Sequence, residues 1–344
     1  MPWFSSDGFE VLFHEGALQD DATEGCADVC GPPRAAHPIL GPRYGSEIKY
    51  LPSALFAVLG YDSAFARVYE EVQGSTTRFL GVGLAVFISD DFLRQIKTAR
   101  SFWAGPELVK RIASGKSPIV SDAEVRRANG TVGLNLFIWH CTIYPEDFNK
   151  GAELAAALIT PFVEAYRGFQ LRELLGQADC LEHLYAMSNA GGLYFDPLQG
   201  SYGSFPEINA HSFLDEPRNV GMTRDLVITR AGSWVGLLFV FTPPRLGLSP
   251  SQQRLLYSAF SGGTDEELSD MLGISLFAVK KSWRAIYDQV AECLPELIPD
   301  RSEINGLTPS RGKQKKQRLL AYLREHPEEL RPVSRKLLRQ RGGK

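Results

Sequence analysis

The chain is short of the residues that build several common kinds of protein. Its five cysteines, Cys26, Cys30, Cys141, Cys180 and Cys293, are odd in number and scattered. That excludes a disulfide framework and fits thiols kept reduced in the cytosol. Cys26 and Cys30 are the only close pair; they lie in a Pro/Gly-rich stretch with no second pair, so a zinc site is not expected and the metal set is read as empty. No run reaches the roughly 20 apolar residues of a membrane helix. Residues 154–163 and 234–241 are too short and read as buried helix and strand. The opening residues are acidic and lack an apolar stretch, so no signal peptide and no membrane partner are expected.

Catalytic signatures are absent as well. The six histidines (His14, His37, His140, His183, His211 and His326) show neither a His pair at i,i+4 nor H-x-E spacing. His140 and Cys141 are adjacent on an apolar, strand-like run, which sends their side chains to opposite faces. Ser114-Gly115-Lys116-Ser117 carries the end of a phosphate-binding loop, but Lys110 stands where its first glycine belongs. There is no G-x-S-x-G elbow and no phosphoacceptor signature of a receiver domain. The expectation is a protein that is not an enzyme and needs no cofactor.

What is present is an ordinary globular composition, with 44% hydrophobic and 22% charged residues in 344. Net charge is −3, but it is unevenly spread. Residues 311–344 carry twelve Lys/Arg against three Glu, a surplus of +9, leaving −12 on the rest. A basic tail on an acidic body suggests an arm for a polyanion; a solvated tail is the plainer reading.

Along the chain, hydropathy periods suggest an α+β protein. Residues 1–45 read as a poorly ordered leader. From 46 to 190 the pattern is a mixed α/β region. A helix runs from Ile48 through Val72, and strands cover 79–89 and 132–143. Asp90 and Asp91 cap a helix, and short helices follow at 106–114 and at 121–128, the latter with Ser121 and Glu124 as a capping pair. A long helix over 148–190 then acts as a linker, with Leu158, Phe162, Ala165, Phe169 and Leu174 as a dimer face. Residues 191–245 read as a separate small α/β unit with strands at 192–197, 225–230 and 234–241. Trp103, Trp139 and Tyr144 mark where a small molecule could be held in the 46–245 region.

Residues 246–294 carry the strongest pattern. Ser249-Pro250-Ser251-Gln252 is a helix start, with a hydroxyl cap, proline in the first turn and Gln three residues on. Gly262-Gly263 ends that helix. Thr264-x-x-Glu267 starts a second, Gly273 ends it, and Ser275 caps a third whose apolar stripe is Val279, Trp283, Ile286 and Val290. Lys280, Lys281 and Arg284 lie off that stripe. A short helix, a glycine turn and a helix with a basic exposed face is a helix-turn-helix, whose second helix fits the DNA major groove. Residues 295–344 follow as a loop, a helix at 313–326 with Leu319, Leu320 and Leu323 on one face, and a tail broken by Pro327 and Pro332.

This segment resembles the C-terminal domain of LuxR/NarL-type transcriptional regulators. The residues that carry the likeness are Leu248-Ser249-Pro250, Gly262-x-Thr264, Glu267-Leu268, Leu272-x-Ile274-Ser275, and Val279-Lys280 with Ile286. They cover about an eighth of the chain. Departures are Arg254 where the family usually has Glu, Leu276 and Phe277 in place of polar residues, and Ala278 in place of Thr. The order of elements ahead of it resembles GAF- and PAS-like sensors in pattern only. The resemblance implies a cytoplasmic, homodimeric transcriptional regulator that binds double-stranded DNA. A small-molecule ligand or a partner would be sensed by the N-terminal region. Lys280, Lys281 and Arg284 would meet phosphates and bases, with Ser275, Ser282 and Thr264 adding hydrogen bonds. The competing expectation, raised by Leu276 and Phe277, is a signalling protein whose helix-turn-helix contacts another protein.

Overall fold

The computed structural model describes residues 44–73, 76–99, 101–143, 148–206, 216–230, 232–298 and 312–332. The expectations for the leader up to residue 43, for Cys26 and Cys30, for His14, His37, His211 and Tyr144, and for 333–344 lie outside them. The fold is mixed α and β, and the chain divides into two compact units, an α/β unit that ends at Val240 and a helical unit that begins at Phe241 and also takes in Arg167–Phe169.

The α/β unit is built on one seven-stranded sheet. Its strands are β1 (Phe65–Gln73), β2 (Thr76–Ile88), β3 (Leu134–Ile143), β4 (Leu171–Ala178), β5 (Leu193–Asp196), β6 (Ser201–Gly203) and β7 (Arg218–Thr223). Their order is β1-β2-β3-β4-β7-β5-β6. Only β3 and β4 run parallel; every other described pair is antiparallel. Val82, Ala85, Val86, Phe87 and Ile88 are all buried, because β2 is an inner strand covered on both faces.

The helices of this unit are α1 (Leu51–Leu59), α2 (Asp90–Thr98), α3 (Ala104–Ala113), α4 (Asp122–Asn129), α5 (Phe148–Tyr166) and α6 (Leu181–Asn189). The capping box of Ser121 and Glu124 forms at α4 as its spacing predicts. At α2 the cap is Ser89, whose hydroxyl accepts the Phe92 N–H; Asp90 and Asp91 sit in the first turn, where the helix dipole favours anions. Leu51, Ala54, Val58, Phe92, Leu93, Ile96, Leu108 and Val109 pack with Val86, Ile88, Phe137 and Leu175 of the sheet into one core.

The structure departs from five expectations. The helix begun near Ile48 stops at Leu59, and 65–73 is β1, whose Val, Tyr and Phe residues suit a pleated surface. The long linker helix over 148–190 is instead α5, β4 and α6. β4, LRELLGQA, is rich in helix-forming residues, yet it is held as a strand between β3 and β7, where tertiary pairing overrides weak propensity. The supposed dimer face is consumed internally: Leu158, Phe162, Phe169 and Leu174 are all buried. Finally, 191–245 is not a separate unit, because β5, β6 and β7 complete the same sheet. The strands placed at 225–230 and 234–241 are 3-10 helices, Arg224–Arg230 and Trp234–Phe239. In the second, Val235, Leu238 and Phe239 are buried at helical spacing, and Ser233 caps the turn through Val235.

In the helical unit, α7 (Pro250–Ala259), α8 (Asp265–Leu272), α9 (Leu276–Cys293) and α10 (Gly312–Glu325) are followed by a 3-10 turn, Pro327–Leu330. Leu255, Leu256, Ala259, Leu268, Val279, Trp283, Ile286 and Val290 share a core with Leu319, Leu320, Leu323 and Leu330. The region from 312 to 330 is therefore a folded part of this unit rather than a free arm. The leucines of α10 are used within the chain.

Candidate nucleic-acid interface

Local chemistry sets the geometry of α7 to α9 closely. Ser249 and Gln252 form a capping box on α7, and Thr264 and Glu267 form another on α8. Gly273 ends α8 in the left-handed conformation at φ 66°, which a side chain at Cβ would make costly. Ser275 then caps α9, its hydroxyl accepting the Ala278 N–H at 3.2 Å. Between them these signals fix where α9 begins and which of its faces is buried.

On α9, Val279, Trp283, Ile286 and Val290 point into the core. Lys280, Lys281 and Arg284 are exposed, and none of the three is in a salt bridge with a described residue. Phe277, one turn earlier, is 77% exposed. Met271 and Ile274 beside the α8–α9 turn are also exposed.

Three of the sequence-predicted residues meet in one place. Thr264, Lys280 and Arg284 line an open cleft of about 660 Å³ with Asp265, Trp283, Tyr287, Asp288, Lys315 and Lys316. Four cations face two carboxylates there. Lys315 and Lys316 come from α10 and were identified in the sequence only as part of a basic run. Lys316 donates to the Gly263 carbonyl at 3.1 Å, pairs with Asp265 at 3.7 Å and lies over the Trp283 ring. Trp283 stacks on Tyr287 with centroids 5.6 Å apart. Burial, followed by the nearby Asp265 carboxylate, pushes the Tyr287 hydroxyl up to about 12.

The remaining predicted residues are placed differently. Lys281, Ser275 and Ser282 do not line the cleft. The Thr264 N–H and hydroxyl both bond Glu267, at 2.7 and 3.2 Å, so its polar groups are already engaged in holding the helix start. In the α/β unit, Trp139 is a buried core residue whose Nε1 donates to the Tyr44 hydroxyl at 3.1 Å.

A second group of chemically capable side chains lies in the α/β unit. Asp179, Cys180 and His183, at the junction of β4 and α6, bring a carboxylate oxygen, a sulfur and a ring nitrogen within 4.8 Å of one another. They include a single histidine and so match no His-pair pattern; the D-C-x-x-H spacing at a helix start is their signal in the sequence.

No protein-family model matches the chain, and no curated protein or solved structure is significantly similar to it. Among the described residues, no helix is long and apolar enough to cross a membrane.

Proposed function

We propose that the chain is a DNA-binding transcriptional regulator of the helix-turn-helix class. In this reading α8 and α9 are the helix-turn-helix, and α9 enters the major groove. Lys280, Lys281 and Arg284 contact phosphates and base edges, while Lys315 and Lys316 face the flanking backbone. The observation that carries the reading is the burial split on α9: a tryptophan-centred stripe holds the helix in its core, and three cations that form no salt bridge with a described residue are exposed to solvent. The α/β unit, a GAF- or PAS-like sensor on its sequence pattern, receives the ligand or partner that controls binding, and the active form is a cytoplasmic homodimer.

A gel shift of the full chain against fragments of its own genome tests this. The wild type retards a subset of fragments, and Lys280→Ala/Lys281→Ala needs about tenfold or more protein for the same shift while leaving the thermal midpoint unchanged. Equal retardation by wild type and variant would exclude α9 as the contact.

A second reading rests on Phe277. With Met271 and Ile274 it leaves an apolar edge at the head of α9, which fits a protein surface. On DNA the same edge meets thymine methyl groups.

A further inference from the structure

We propose that Asp179, Cys180 and His183 form a mononuclear site for a borderline divalent cation of the zinc class. The proposal is independent of the DNA-binding reading. It rests first on the donor set. A carboxylate, a thiolate and an imidazole on one turn are poor partners for calcium or magnesium, which take oxygen alone, and good ones for Zn(II) or Co(II).

The second support is placement. Asp179 is the first residue after β4, and Cys180 is the N-cap of α6. His183 follows one turn later, at i,i+4 from Asp179 and i,i+3 from Cys180, and the extended backbone at Cys180 brings both preceding side chains within reach of its ring. The backbone that carries them is fixed at both ends. Ala178 is paired with Arg218 of β7, and the Leu184 N–H bonds the Cys180 carbonyl at 3.1 Å. Leu184 packs with Ala178 and Val220 beneath the site. Ligands on rigid elements lose little entropy when an ion arrives.

The third is geometry. The Asp179 and His183 side chains are 15% and 25% exposed, sheltered yet reachable. They are already hydrogen bonded to each other through Oδ1 and Nδ1. The three donor atoms lie within 4.8 Å; donors bound to one tetrahedral zinc are separated by about 3.3–3.8 Å, a difference that side-chain rotation covers. The N-terminal end of α6 favours the anionic thiolate and carboxylate, which together balance a dication. Arg218, the neighbouring cation across the sheet, is paired with Glu216 at 3.6 Å. Three ligands leave a fourth position for water or a further donor.

Cobalt titration of the metal-stripped full-length protein tests the site. Co(II) saturates at one equivalent, with a sulfur-to-cobalt charge-transfer band that Zn(II) displaces. Cys180→Ser removes the band. His183→Gln and Asp179→Asn, which keep shape, weaken Co(II) binding, the histidine variant by about 100-fold or more. Far-ultraviolet dichroism of the metal-free variants matches the wild type, which separates lost ligation from lost folding. Absence of the band in the wild type, its persistence in Cys180→Ser, or unchanged affinity in both His183→Gln and Asp179→Asn would overturn the proposal and leave the trio as a helix-start ion pair beside a thiol.

Discussion

Lys316 lies across the face of Trp283, its Nζ 5.1 Å from the ring centroid. The same ammonium bonds the Gly263 carbonyl and pairs with Asp265. One side chain thus ties α10 to the start of α8 and to the central residue of the α9 stripe. Lys316, Asp265 and Trp283 all line the cleft that Thr264, Lys280 and Arg284 share.

Lys316→Met keeps the aliphatic stem and removes the charge. It should destabilise the helical unit by about 1–2 kcal/mol, from the lost cation–π contact and hydrogen bond. Urea unfolding followed by tryptophan fluorescence measures this. Lys315→Ala, the neighbouring cation of the cleft, should change stability by less than about 0.5 kcal/mol.

Glu329 is 1% exposed, and its carboxylate accepts the N–H groups of Arg245 and Leu246, each at 2.9 Å. Tyr322 donates a third bond at 3.0 Å. Glu329→Ala would leave the buried Leu246 N–H unmatched, at about 1–3 kcal/mol, while the part-buried Arg245 N–H and Tyr322 hydroxyl can turn to water. We expect the helical unit of this variant to melt at lower temperature, with the α/β unit unaffected. Coincident loss of both units in calorimetry would contradict that.

The Tyr287 hydroxyl, pushed up to about 12 by burial and Asp265, makes a prediction in alkali. The unfolded tyrosine ionises near 10, so between about 10 and 12 the unfolded state holds fewer protons than the folded one. Stability should be constant below pH 10 on this account and fall as pH rises toward 12. Tyr287→Phe, which has no proton to lose, should flatten that fall in denaturant titrations.

Much of the helical unit could be read from residues alone, and much of the sheet could not. Ser249, Thr264, Gly273 and Ser275 act on backbone within four residues of themselves, so α7, α8 and α9 were legible. The exposure of Lys280, Lys281 and Arg284 followed from the phase of Val279 and Trp283. β4 failed because its residues prefer helix; only pairing with β3 and β7, distant in sequence, makes it a strand. Gly221 marks how tight that pairing is, since a Cβ there would lie 2.1 Å from the Leu174 carbonyl oxygen. The cleft was missed in part for the same reason: Lys315 and Lys316 reach it only because α10 folds back onto α9.

Phe277 separates the two functional readings. Being 77% exposed, it should tolerate Phe277→Ala with a stability change under about 0.5 kcal/mol. Contact with a thymine methyl predicts weaker binding to specific fragments and unchanged binding to random DNA. A loss of partner capture with DNA affinity intact would favour the protein-contact reading.

The most direct test is the salt dependence of binding to one retarded fragment, compared between wild type and Lys280→Ala/Lys281→Ala/Arg284→Ala. If the three cations meet phosphates, the slope of log affinity against log salt should fall by roughly 2–3, since each neutralised phosphate contributes about 0.9. An unchanged slope at unchanged affinity would show that DNA does not rest on this face of α9.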